Sequence, residues 1–474
     1  MIDGLEISEI KFSDLKVDNE KNRLDSEFYL KKYINAYSLV KAKKNSRIVD
    51  LYSTFTDFHS NGSYEVIAQH FKLLDERDYA YMVRTTDLEK ENYIDSVKYV
   101  TKSTYEFLSK SKVFGGELLI NKIGSPGRTF LMPKLNIPVS LGMNLFLLRI
   151  KNNENISEEL IYLFFNSEIG KNIIERKING TVPLTIDKEA IKSLYVPLFS
   201  KDFLNIVKSL IAEKNDCSKN AQGLYLESEK ILEESLCIKQ SSNDIVSIKS
   251  LSESFNISGR LDAEYYQPKY EQYEEIIKNN KLGFTIIKKE FDLITKKCDR
   301  SLEQYPYIEI GDINVSTGVA TSNIIMTEAL PDNAKIMTKV NDVLVSTVRP
   351  NRGAVSILEE DDLLVSGAFT VLREKGNYPK EVLLVILRSE LYRDWLLKYN
   401  VGTSYPVIKD DDILNLPLPI LDETLNKEIS DKVQESFRLR KKTKKLLDIA
   451  VRAVEMAIET DEETAIAWLK EQGV

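Results

Sequence analysis

The chain has 474 residues, too many for one ordinary core, and its 43% hydrophobic and 29% charged composition excludes disordered and fibrous classes. Its net charge of −8 runs against the cationic excess usual in nucleic-acid binders, so any such role must rest on local clusters. Three cysteines, Cys217, Cys237 and Cys298, stand without CxxC spacing, which supports neither a disulfide framework nor a thiolate zinc site. No basic segment followed by an apolar run opens the chain, and no stretch approaches the roughly 18 apolar residues of a membrane span. A cytoplasmic chain with no membrane anchor is expected.

In chain order, the first notable block is Arg23-Leu24-Asp25-Ser26-Glu27-Phe28-Tyr29. It returns 237 residues later as Arg260-Leu261-Asp262-Ala263-Glu264-Tyr265-Tyr266, with five of seven positions identical. Tyr79-Ala80-Tyr81-Met82 returns as Tyr305-Pro306-Tyr307-Ile308, each followed by an Asp, Asp87 and Asp312, at an offset now reduced to 226. Apolar runs come next. Leu118-Leu119-Ile120 and Val343-Leu344-Val345 read as buried strands, and each leads into a polar turn bearing Gly and Pro, Asn121 to Arg128 and Ser346 to Gly353. Late in each half, Gly180-Thr181-Val182-Pro183 parallels Gly402-Thr403-Ser404-Tyr405-Pro406. Ile191 to Leu198 then parallels Ile413 to Ile420 at an offset of 222. Five matches in one order define an internal repeat. The falling offset places most of the length change between the first two blocks.

Each repeat ends in a proline-free stretch that can be helical for many turns. Phe437, Arg440, Lys444, Leu447, Val451, Val454 and Ile458 follow coiled-coil steps, as do Phe203, Val207, Leu210, Lys214, Cys217, Ala221, Leu224 and Ile231. The two helices are expected to pack on one another; the alternative is that each covers its own domain.

The duplicated order of the RLD-x-E-(F/Y)-Y opening, strand-rich segments, Gly-Thr block, I-x-x-L-x-(V/L)-P strand and long helix resembles the specificity subunits of type I restriction-modification enzymes. The resemblance covers nearly the whole chain. It implies an α+β fold with a pseudo-twofold internal repeat: two strand-rich α/β target-recognition domains separated by an antiparallel coiled coil of two long helices. The expected boundaries are 1–198 for target-recognition domain 1, 199–240 for spacer helix 1, 241–420 for target-recognition domain 2, and 421–474 for spacer helix 2 with a C-terminal tail. It also implies partners: double-stranded DNA read as a bipartite asymmetric site, two methyltransferase subunits and restriction subunits. S-adenosylmethionine would sit in the former, ATP and Mg in the latter, and no cofactor in this chain.

Catalytic signatures are missing, as that reading requires. There is no (N/D)PP(Y/F), no P-loop and no H-E-x-x-H, and the two histidines, His59 and His70, read as surface or loop residues. Local charge answers the acidic total. Seven lysines and arginines between Lys98 and Lys134 face only Glu106 and Glu117, and Lys335, Lys339, Arg349 and Arg352 face Asp342. A base reader needs donors and acceptors on loops or strand ends. The candidates in the first half are Arg84, Thr85, Lys112, Asn121, Lys122, Ser125, Arg128, Asn144 and Thr181. In the second they are Asn314, Ser346, Thr347, Arg349, Asn351, Arg352, Thr403, Ser404 and Tyr405. The Gly-Thr blocks read equally well as structural turns. Alternatives to a type I subunit are a type IIB-like or phage-defence recognition subunit, or a protein-interaction scaffold with no DNA role.

Overall fold

A computed structural model of the chain describes residues 9–16, 18–19, 21–91, 93, 97–180, 182–236, 246–401 and 405–473. Thr181, Thr403, Ser404 and Cys237 lie outside them. The chain divides into two compact units, residues 1–217 with 441–474, and residues 218–440. The dividing line falls within both long helices, Lys201–Ser235 and Glu423–Glu459, so each unit is one strand-rich domain plus half of each helix. None of the described helices is long and apolar enough to cross a membrane.

The repeat is carried strand for strand. In the first unit one antiparallel sheet has the order Tyr52–Asp57, Leu145–Ile150, Leu118–Asn121, Thr129–Leu131. The second unit repeats it as Phe291–Leu293, Phe369–Glu374, Val343–Ser346, Val355–Ile357. Leu118–Asn121 and Val343–Ser346 are buried at every position, which is why both read as continuous apolar runs. The other sheet of each unit contains one parallel pair, Ala80–Val83 beside Val139–Leu141 and Gln304–Ile308 beside Leu364–Ser366. A short third pairing closes each domain, Asn45–Arg47 with Tyr195–Pro197 and Phe284–Ile286 with Pro417–Pro419.

The main length difference sits where the offset slips, and a difference in local structure follows it. Between its two sheets the first unit inserts helix Tyr64–His70, whereas the second runs from Leu293 to Gln304 without one. In turn, the second unit holds a hairpin, Ile313–Asn314 with Val319–Ala320, that has no strand counterpart among the described residues of the first.

Within each unit the halves of the long helices pair antiparallel. In the second unit the Ser436 hydroxyl donates to the Ala221 carbonyl at 2.7 Å and Lys432 pairs with Glu227; in the first, Lys442 pairs with Glu213. The seam follows the expected one at Phe203, Val207, Leu210, Cys217 and Ala221 and again at Val454 and Ile458, and departs from it in between. Beyond Ala221 the first helix buries Tyr225, Ser228 and Leu232, leaving Leu224 and Ile231 half-buried. The second helix buries Val433, Ser436, Thr443, Leu446, Ala450 and Ala453, while Phe437, Arg440, Leu447 and Val451 are half-buried and Lys444 is exposed. Close approach of two backbones selects small residues at the contact, so a pattern read from large apolar residues lands one position away. Ala221→Leu, which adds bulk where Ala221 is fully buried against Ser436, should cost about 1–3 kcal/mol. An unchanged thermal unfolding temperature would contradict the close contact.

Candidate nucleic-acid interface

The repeated Arg of the opening block ties it to the carbonyls that precede the Gly-Thr block. Arg23 chelates Asp25 at 2.7 and 2.8 Å and donates from Nη1 to the carbonyls of Arg176 and Ile178 at 3.2 and 3.0 Å. Arg260 chelates Asp262 at 2.6 and 2.8 Å and donates to the Asn400 carbonyl at 3.0 Å. In both blocks the hydrogen-bonded guanidinium holds the aspartate below the usual carboxylate range.

The loops that follow are closed and pinned in the same way. Asn179 and Thr185 exchange backbone hydrogen bonds around the first Gly-Thr block, and Val401 N donates to Val407 O around the second. The polar turns then attach to them: Ile186 N donates to Lys122 O at 3.1 Å, and Ile408 N to Thr347 O at 2.9 Å. Each unit thus holds its polar turn beside the residues that follow its Gly-Thr block.

This arrangement turns several candidate readers inward. Asn121 is 2% exposed; its amide donates to the carbonyls of Ile123 and Ser125, both at 3.0 Å, and its oxygen accepts from Thr85 Oγ1. That leaves neither Asn121 nor Thr85 a free edge for a base. Lys122 is buried over the Phe146 ring and paired with Asp57, which also accepts from Ser60 and Lys188. Burial pushes Lys122 down. It also opposes the charge on Asp57, but Ser60, Lys188 and Lys122 outweigh it and hold that carboxyl below the usual range. Ser346 and Thr347 spend their hydroxyls on the carbonyls of Val348 and Ala368, at 2.7 and 2.9 Å. Asp87 caps helix Thr85–Glu89 by accepting the Arg84 backbone N–H at 2.9 Å and is gripped by the Arg84 guanidinium at 2.6 Å, and Lys112 is held by Glu106 over the Tyr105 ring. These six side chains and Thr85 serve the frame, because a polar group on a buried strand end must find a partner inside the fold.

The remaining described candidates are exposed, apart from Asn314 and Arg349, which are half-buried. Ser125, Arg128 and Asn144 are exposed, and Arg128 reaches Glu89 at 2.8 Å. In the second unit Asn351 and Arg352 are exposed, with no side-chain hydrogen bond or ion pair among the described residues. Arg349 lies 4.7 Å over the ring of Tyr405, itself 51% exposed. Asn314 is half-buried and accepts at Oδ1 from the backbone and hydroxyl of Ser316, shaping its own hairpin. The basic stretch of the first half is less cationic than its composition, since four of its members have a carboxylate partner: Lys98 pairs with Asp75, Lys112 with Glu106, Lys122 with Asp57 and Arg128 with Glu89.

The structure adds residues that the sequence did not single out. A cleft of about 960 Å³ in the first unit is lined by Lys21, Arg23 of the opening block, Ser125 and Arg128 of the polar turn, Lys171 of helix Glu168–Glu175 and Arg176 at its end. Gly127 (φ +83°) forms its floor against Ile174, where a Cβ would come within 2.0 Å of that side chain. Arg23 was legible as a repeated residue; Lys171 carried no signal, because only folding brings it to the turn.

Residues 283–448 match the family described as Type I restriction modification DNA specificity domain. The resemblance read from the sequence holds over that stretch, and sequence-specific DNA recognition is the general role it brings. No curated protein matches the chain. Among solved structures, 88% of the chain aligns with 94% of a type I restriction-modification S subunit from M. genitalium at 13% identity and a TM-score of 0.41. It also aligns with 97% of an HsdS subunit from Thermoanaerobacter tengcongensis at 14% identity and a TM-score of 0.27. These likenesses are too distant to carry an argument.

Proposed function

We propose that the chain is the non-catalytic specificity subunit of a type I restriction-modification complex, with each unit reading one half of a bipartite, asymmetric DNA site. In this reading it also recruits two methyltransferase subunits and the restriction subunits, which bring S-adenosylmethionine, ATP and Mg. The observation that carries it is a frame repeated strand for strand whose polar turns differ: Ser125 and Arg128 are presented by one, Arg349, Asn351 and Arg352 by the other. Arg349 occupies the left-handed region at φ 52°, a conformation costing a non-glycine residue on the order of 1–3 kcal/mol. A long cation kept at that position, over Tyr405, fits a reading role better than a structural one.

Binding to random duplex should weaken steeply as salt rises, because each neutralised phosphate releases counterions. Affinity indifferent to salt would favour the protein-interaction scaffold instead. Exchange of residues 241–420 for the matching domain of another specificity subunit should alter one half-site and leave the other intact. A change in both would remove the two-reader model.

A further inference from the structure

We infer that Arg388 is a positioning residue that couples the first long helix to the Ile313–Ala320 hairpin, so that reading by the second unit depends on it. The inference rests on the DNA-reading proposal above. Arg388 ends helix Lys380–Arg388 and is 7% exposed. Its Nε donates to the Tyr225 hydroxyl at 2.7 Å, and its guanidinium lies 4.9 Å from the centre of that ring. Nη2 donates to the carbonyls of Val315 and Ser316 at 2.9 and 3.1 Å, within the hairpin that also carries Asn314. Among the described residues no carboxylate pairs with it, and Nη1 is buried without a hydrogen-bond partner.

A charge buried on those terms is costly, and a packed apolar side chain of similar volume would serve stability as well or better. What an apolar residue cannot do is hold three directed bonds to two separate elements. Gly318, at φ +72°, lets the turn close on the guanidinium: a Cβ there would stand 2.8 Å from Nη1. Tyr225 remains a neutral acceptor, since burial pushes its phenol up to about 12. The corresponding helix end of the first unit, Asn166, is bound instead to the carbonyls of Thr129 and Tyr162, so among the described residues the latch is a feature of the second unit.

The test uses the full chain with its methyltransferase partners. Sites are first selected from randomised duplexes with the wild-type complex, and discrimination against single substitutions is then measured in each half-site. Arg388→Met should lower discrimination about tenfold in the half-site assigned to the second unit and leave the other half-site and random-duplex affinity unchanged. Tyr225→Phe, which keeps the ring and removes the acceptor, should move the same half-site in the same direction by less. Should Arg388→Met fail to fold, Tyr225→Phe alone decides. Unchanged discrimination, or equal loss in both halves, overturns the coupling. Failure of the wild-type complex to select any sequence overturns the DNA-reading proposal itself, which separates the two.

Discussion

Asp342→Ala is expected to destabilise the second unit by about 3 kcal/mol, at the low end of the range for a broken buried ion pair. Asp342 is fully buried and holds Arg373 through two bonds of 2.7 Å, and it also accepts the backbone N–H of Lys339 at 2.8 Å. Removing the carboxylate strands a guanidinium and an amide together. The low end applies because the Arg373 side chain is 36% exposed and can still reach water. The first unit contains the same device, Glu117 with Arg149, in which the carboxylate also accepts the N–H groups of Phe114 and Gly115. Hydrogen exchange locates the effect: amides of Val343–Ser346 should lose protection in Asp342→Ala while those of Leu118–Asn121 keep theirs. Equal loss in both strands would mean that the pair does not act locally.

The second large effect concerns recognition. Replacing Arg349 and Arg352 by alanine should reduce affinity for the selected site about ten- to hundredfold for each arginine, the range for a side chain that reads a base edge. Affinity for random duplex should fall much less. Proportionate loss on selected and random DNA, with a shallower salt dependence, would reassign the two arginines to phosphates. Arg349→Ala alone also frees Tyr405 from its cation, so Tyr405→Phe, which leaves the ring under Arg349, should preserve binding.

Asn121, Lys122, Ser346 and Thr347 show why candidate readers were only partly legible. All four follow a buried strand and are polar, which is the pattern of a reading loop. It is equally the pattern of a strand end whose side chains satisfy neighbouring backbone, and the folded partners, Ile123, Asp57, Val348 and Ala368, decide for the second. Arg128 and Arg352 differ from them in being exposed. The helix seam was displaced for a related reason: Ser436, Thr443 and Ala450 are not conspicuously apolar, yet close packing buries them.

The sequence by itself determined the duplication, the order of blocks within each copy, the two long helices and the place where the copies diverge. These are linear properties, expressed in repeated local patterns that survive without knowledge of any contact. Only the tertiary structure decided which face of each helix is buried, which polar side chains are spent on the frame, and that Lys171 joins Arg23 and Arg128 around one cleft. Burial and hydrogen-bond partnership are set by neighbours distant in the chain, and a residue type at a given spacing does not reveal them.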